Sequence, residues 1–210
     1  MAPEEPTEAR LVDLPIFPLG TVLFPGGTLP LRVFEARYMD MVRDCMQRGS
    51  PFGVCLIVRG REVGEAAEHE PVGCLATITD WDMQQLGLLQ IRTRGDRRFR
   101  IDASRVQADG LIRADARPIE PENDQPVPER FAACAALVRR IVEDLVEKEP
   151  SALNRMVGEP YLYDSASWVS NRLSEFLPIP VRAKQKLMEL SDPLARLSIV
   201  HRYLEQHRVL

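Results

Sequence analysis

The residues that ordinarily carry chemistry are few in this sequence and poorly spaced for it. There are three histidines, His69, His201 and His207. His201 and His207 stand six apart in a helical pattern, on different faces, so they cannot share a metal as an i, i+4 pair would. His69 lies in "EAAEHEP", which reads as a polar, acidic loop between strands. The four cysteines, Cys45, Cys55, Cys74 and Cys134, show no CxxC spacing. Each sits in an apolar or amphipathic run, where Cys acts as a small hydrophobe. Only Cys45 has cations close by in sequence, Arg43 and Arg48, and on a buried helix face that pattern means packing rather than a lowered thiol pKa. Lysine occurs only at positions 148, 184 and 186. No GxxxxGK[ST] loop offers a cradle for a nucleotide phosphate, and neither GxSxG nor HExxH is present. These observations predict no metal, no cofactor and no catalytic centre.

Two groups of residues suit binding instead. The first is an arginine cluster, Arg92, Arg94, Arg97, Arg98 and Arg100, around Gly95, which reads as a turn. Arg98 and Arg100 alternate with Phe99 and Ile101, which places them on the outer face of a strand. Such a face suits an anionic partner such as RNA, although no aromatic residue interleaves to stack bases. The second group is aromatic: Phe24, Phe34, Trp81, Tyr161, Tyr163 and Trp168. Aromatic anchors are over-used where proteins bind peptides and other proteins. The same residues also suit a plainer role, cementing the two halves of the chain together.

The elements that must position these residues follow from periodicity. The chain has 210 residues, is 45% hydrophobic and carries a net charge of −4, so it is long enough for real cores and lacks the basic surplus of a nucleic-acid binder. No DNA partner is expected. Residues 1–10 are acidic and Pro-rich, without the basic start and apolar run of a signal peptide, and read as a disordered tail. No apolar run approaches the length of a membrane span. With no export signal and unpaired cysteines, a cytoplasmic protein is expected. Residues 11–117 show mostly strand periodicity with one helix near 35–48, and "ADG" at 108–110 reads as a hairpin turn. Residues 118–128, "PIEPENDQPVP", read as a Pro-rich linker. Residues 129–206 show helical stripes, among them Phe131, Cys134, Val138, Val142 and Leu145, with Asp192 capping and Pro193 opening the last helix. The fold class is α+β: a bent, mostly antiparallel β pseudo-barrel with one inserted helix, followed by a helical bundle.

"LPIFPLGTVLFPGGTLPLRVFEARY" (14–38), "VGCLATI", "GDRRFRI" and "WVSNRLSEFLPIPVRAKQKLMELSDPLARL", in that order and spacing, resemble the N-terminal substrate-binding domain of the ATP-dependent protease Lon. The likeness extends to free-standing Lon N-terminal-like proteins and to the same domain in cereblon, and covers roughly residues 11–206. Ala36 stands where the free-standing family usually has Pro, and either residue fits a first helical turn. The resemblance implies a PUA-like pseudo-barrel and a helical bundle. In that setting the prolines and glycines of "FPLGTVLFPGG" are bends that carry an apolar chain across a small barrel. It also implies a module that recognises exposed apolar or unfolded segments of proteins. Full-length Lon carries ATPase and serine–lysine protease domains after this region. This sequence stops at Leu210, so a non-catalytic peptide- or protein-binding module is expected, with RNA binding through the PUA-like half as the alternative.

Overall fold

The computed structural model of the chain describes residues 10–148 and 157–210. The expected tail lies outside the described residues apart from Arg10, as do residues 149–156 of the expected helical half. The first half contains β1 (Leu11–Leu19), β2 (Thr28–Val33), α1 (Ala36–Arg48), β3 (Phe52–Arg59), β4 (Glu68–Gln85), β5 (Leu88–Val106) and β6 (Ile112–Pro118). The strand order is β2-β5-β4-β3-β1-β6, and β6 also pairs with the second half of β5. The sheet therefore bends round until its ends meet, while β2 hangs from the first half of β5 outside that ring. It is a bent sheet rather than a clean barrel. All pairings are antiparallel except β1 with β3. α1 follows the expected stripe, burying Tyr38, Met41, Val42 and Cys45, and ends at Gly49 in the left-handed region at φ 60°.

The prolines find positions that tolerate a missing N–H. Pro15 pairs only with β6 and Pro18 only with β3, so each has one side of the strand free of a ladder. Pro30 sits in β2, an edge strand. Between β1 and β2, Gly27 N donates to Phe24 O at 2.9 Å, with Pro25 and Gly26 (φ 73°) in the middle. That is a type II turn, in which Pro presets the first φ and Gly supplies the positive one.

Gly95 does not make a turn. β5 runs straight through it, and the strand break expected there is absent. Gly95 instead lets the Phe24–Gly27 turn press against the strand. Gly95 N donates to Gly27 O, Gly26 N donates to Gly95 O, both at 2.8 Å, and a Cβ on Gly95 would lie 2.2 Å from Phe24 O. His69, expected in a loop, lies in β4 opposite Ile57.

A short 3-10 turn (Glu129–Phe131) leads into α2 (Ala132–Lys148), followed by α3 (Ala166–Phe176), α4 (Val181–Glu189) and α5 (Pro193–Gln206). Ser165 caps α3 by accepting from Trp168 N, and Asp192 caps α5 by accepting from Leu194 N and Ala195 N. α3 is enclosed on nearly all sides, burying Ser170, Asn171, Arg172 and Ser174 as well as Val169 and Leu173. α2, α4 and α5 all rest on it. The largest apolar cluster joins Phe24, Leu56 and Val72 of the sheet half to Trp168, Val169, Leu173, Leu197 and Val200 of the helices. Two others lie within the sheet, one closed by α1 and one around Phe99. Residues 118–128 are held by backbone bonds from Ile119 N to Arg98 O and from Val127 N to Asp164 O. No helix among the described residues is long and apolar enough to cross a membrane.

Candidate functional site

The six aromatic candidates separate into two groups. Phe24 is fully buried and Trp168 is 6% exposed, so neither presents a surface to a partner. Tyr161, Tyr163 and Trp168 stack edge-on as one cluster, with ring centroids 5.3–6.4 Å apart, and the Arg139 guanidinium lies over Tyr163 at 4.5 Å. Trp168 is buried in the apolar cluster shared by sheet and helices, while Tyr161 and Tyr163 are half-buried against its edge. Phe34 and Trp81 are different: each is 55% exposed.

The arginine cluster is not one surface. Arg98 is buried, contrary to its expected place on the outer face. The helices cover that face, and Arg98 Nη1 donates to the carbonyls of Met188, Glu189 and Leu190 at 2.8–3.2 Å. Its Nη2 lies 3.7 Å from Glu122, whose carboxylate also binds Arg196 through both terminal nitrogens. Burial lowers the Arg98 pKa against the opposing pull of Glu122. Arg92 pairs with Asp80 at 3.4 Å, and Arg94 donates to Glu159 O at 2.9 Å. Arg97 and Arg100 are exposed.

A second internal pair holds the Phe24–Gly27 turn. Arg172 donates to Pro25 O at 2.9 Å and pairs with Glu175 at 3.1 Å. Burial pushes the Glu175 carboxyl up to about 7, against Arg172, the backbone bond at Phe24 and Lys184. Burial likewise raises the thiols of Cys45, Cys55, Cys74 and Cys134, the last to about 11, which keeps them protonated near neutral pH. Among the described residues no three His, Cys, Asp or Glu side chains are placed to hold a metal.

One open and largely apolar space is a groove of about 400 Å³ beside β2. Its floor is the stacked pair Phe17 and Tyr38, with centroids 4.0 Å apart. Leu29, Leu31 and Val33 form one wall, and Phe34 and Val63 form the lip. Arg32, Glu35 and Glu62 set charge of both signs around it. Gly27 O accepts from Gly95 N, so by alternation residues 27, 29, 31 and 33 turn their backbone groups to β5. Thr28, Pro30 and Arg32 then face the free edge, where Pro30 has no N–H to offer. Strand addition is thereby blunted, and side-chain burial is the interaction the groove offers.

Trp81 extends the same face. Leu31 pairs with Ile91, and Ile91 pairs with Trp81, so the three side chains lie side by side across β2, β5 and β4. At ordinary strand spacing Trp81 stands about 10 Å from Leu31. The sequence reading singled out Phe34 and Trp81 and missed Leu29, Leu31 and Val33. Their alternation next to Phe34 was the available signal.

A bent sheet backed by helices, with Arg98, Arg172 and Arg196 tied inside and an apolar groove open at one edge, defines an α+β domain. Residues 13–206 match the ATP-dependent protease La (LON) substrate-binding domain, and the chain belongs to that family. It is similar to the crystal structure of a Lon N-terminal domain protein from Xanthomonas campestris, at 35% identity and a TM-score of 0.74, covering 92% of this chain and 99% of that one. It is 23% identical to the Lon protease of Flavobacterium johnsoniae over 92% of this chain and 24% of the relative. It is 30% identical to the protein cereblon of Danio rerio over 58% of this chain and 28% of the relative. The chain thus spans about a quarter of the length of the Lon protease it matches.

Proposed function

We propose that this chain is a non-catalytic, cytoplasmic binding module that captures exposed apolar segments of client proteins in the groove beside β2. The observation that carries the reading is the groove itself: an apolar floor and wall, an exposed Phe34 lip, and Trp81 continuing the same face. Membership of a substrate-binding family supports it. A client side chain buried there gains roughly 1.5–3 kcal/mol before ordering costs. Two or three such contacts give a weak complex, on the order of micromolar to millimolar.

The test titrates a fluorescent, permanently unfolded polypeptide with wild type, Phe34→Ala and Trp81→Ala. Both residues are more than half exposed, so the variants should melt as wild type does. Each should weaken binding by about 1–3 kcal/mol, the usual effect of truncating an interface anchor. Undiminished binding by the double variant refutes the assignment of the groove.

A further inference from the structure

We infer that the cleft between α4 and α5 is a second docking site, independent of the groove beside β2, and that its partner is an amphipathic helix with acidic flanks. α4 and α5 form a helical hairpin joined at Leu190–Asp192. Both rest on α3, and Arg196 of α5 donates from Nε to Leu187 O of α4 at 2.9 Å; beyond that contact the facing sides of the two helices leave a cavity of about 620 Å³. This size falls within the range of real binding pockets. Ile179, Ala183, Leu190, Ile199 and Tyr203 are among its lining residues, and Lys186 is the only charged one. Ile199 is 50% exposed, a large aliphatic side chain facing an unfilled space.

The shape selects a helix. α4 has nine residues, about 13 Å of axis, which accommodates a partner of two to three turns with apolar residues at i, i+3 or i+4, and i+7. The charge selects its sign. Arg182 precedes Lys186 by one turn on α4, and Arg202 follows Ile199 by three residues on α5, so cations flank the cleft on both helices. Arg182 and Arg202 are exposed and have no ion pair among the described residues. The nearby acid on α4, Glu189, is already paired with Lys186 at 2.8 Å. On α5, Glu205 lies toward His201 and pairs with it at 3.4 Å, away from the cleft. A cationic rim around an apolar cleft is a local reversal in a chain whose net charge is −4. The groove beside β2, in contrast, has a rim of mixed sign.

The experiment uses two designed helical peptides of about fourteen residues with identical Leu stripes, one flanked by Glu and one by Lys, each fluorescently labelled. The full chain is titrated with both. The Glu-flanked peptide should bind at least tenfold more tightly than the Lys-flanked one. Ala183→Glu, an exposed position lining the cleft, should abolish its binding without shifting the melting temperature. Arg182→Glu with Arg202→Glu should reverse the preference, while Phe34→Ala should leave it unchanged. Four results overturn the proposal: equal binding of both peptides, no binding of either, binding that survives Ala183→Glu, or a wild-type dimer in sedimentation that Ile199→Asp dissociates. The last would show that a second copy fills the cleft.

Discussion

Arg98 and Arg100 stand two apart on one strand and differ in almost every physical respect. Arg100 is solvated, whereas Arg98 is held by three carbonyls and shares Glu122 with Arg196. Removing Arg98 takes its donor from the carbonyls of Met188 and Glu189, leaves Leu190 O to Arg196 alone, and leaves part of the Glu122 charge uncompensated in a buried place. The expected cost of Arg98→Ala is about 2–4 kcal/mol, against less than about 0.5 kcal/mol for Arg100→Ala. Urea denaturation of the two variants against wild type measures both. A near-neutral Arg98→Ala would mean that the guanidinium does not tie sheet to helices. Strand alternation alone put both residues outside, because a period of 2 marks the two faces of a strand without saying which of them another layer covers. Arg98 shows that the polar-looking face was the covered one. The same blindness hid Arg172 and Arg196, both fully buried on helices whose apolar stripes gave no hint of what their other faces meet.

At the level of elements, the type II turn at Phe24–Gly27 and the helix α3 form one device. A turn was readable from "FPGG", since Pro presets φ and either glycine can take a positive one, but its type was not. What it docks against was not readable, because Gly95 contributes only the absence of a Cβ, and Arg172 lies 147 residues from Pro25 in sequence. Most of the strands, α1 and the cap at Asp192 followed from local pattern. The continuity of β5 through Gly95 did not, because glycine in a strand looks the same whether it bends the chain or lets another segment approach. The device has a pH signature. Glu175 has a folded pKa of about 7, raised by burial above the usual carboxylate value. Between the unfolded value near 4.3 and the folded one, the native state holds a proton that the unfolded state has lost. Stability from this site is therefore fully present below about pH 4.3 and falls as pH rises through 7. Comparing wild type with Glu175→Gln isolates the effect from other titrations. Wild type should lose on the order of 1–3 kcal/mol relative to the variant between pH 5 and pH 8. Parallel stability curves for the two proteins would show that Glu175 is ionised throughout.

For the whole molecule, the decisive contrast is between a surface that works by burying apolar area and one that works by charge. The groove beside β2 belongs to the first kind. On the proposed reading, its affinity for an unfolded chain derives from area removed from water and should change little with moderate salt. Nucleic-acid binding behaves oppositely: each neutralised phosphate releases counterions, so affinity falls steeply as salt rises. The five arginines near Gly95 would have made a basic stripe had they shared a face. With Arg98 inside, Arg92 on Asp80 and Arg94 on a carbonyl, Arg97 and Arg100 are the exposed remainder with no ion pair or hydrogen bond among the described residues. Two cations on an acidic chain support only a shallow salt slope. Titrating the unfolded polypeptide and a structured RNA at 50 and 200 mM salt, with wild type and with Arg97→Ala plus Arg100→Ala, separates the two. Polypeptide binding should change less than about threefold with salt and ignore the arginine pair, while RNA binding should be weak throughout. Tight RNA binding that collapses with salt and with the arginine pair, beside undetectable polypeptide binding, would transfer the function from the groove to the outer strand. The burial of Arg98 argues against that outcome, because it removes the central cation of the strand stripe and ties it to the helices instead.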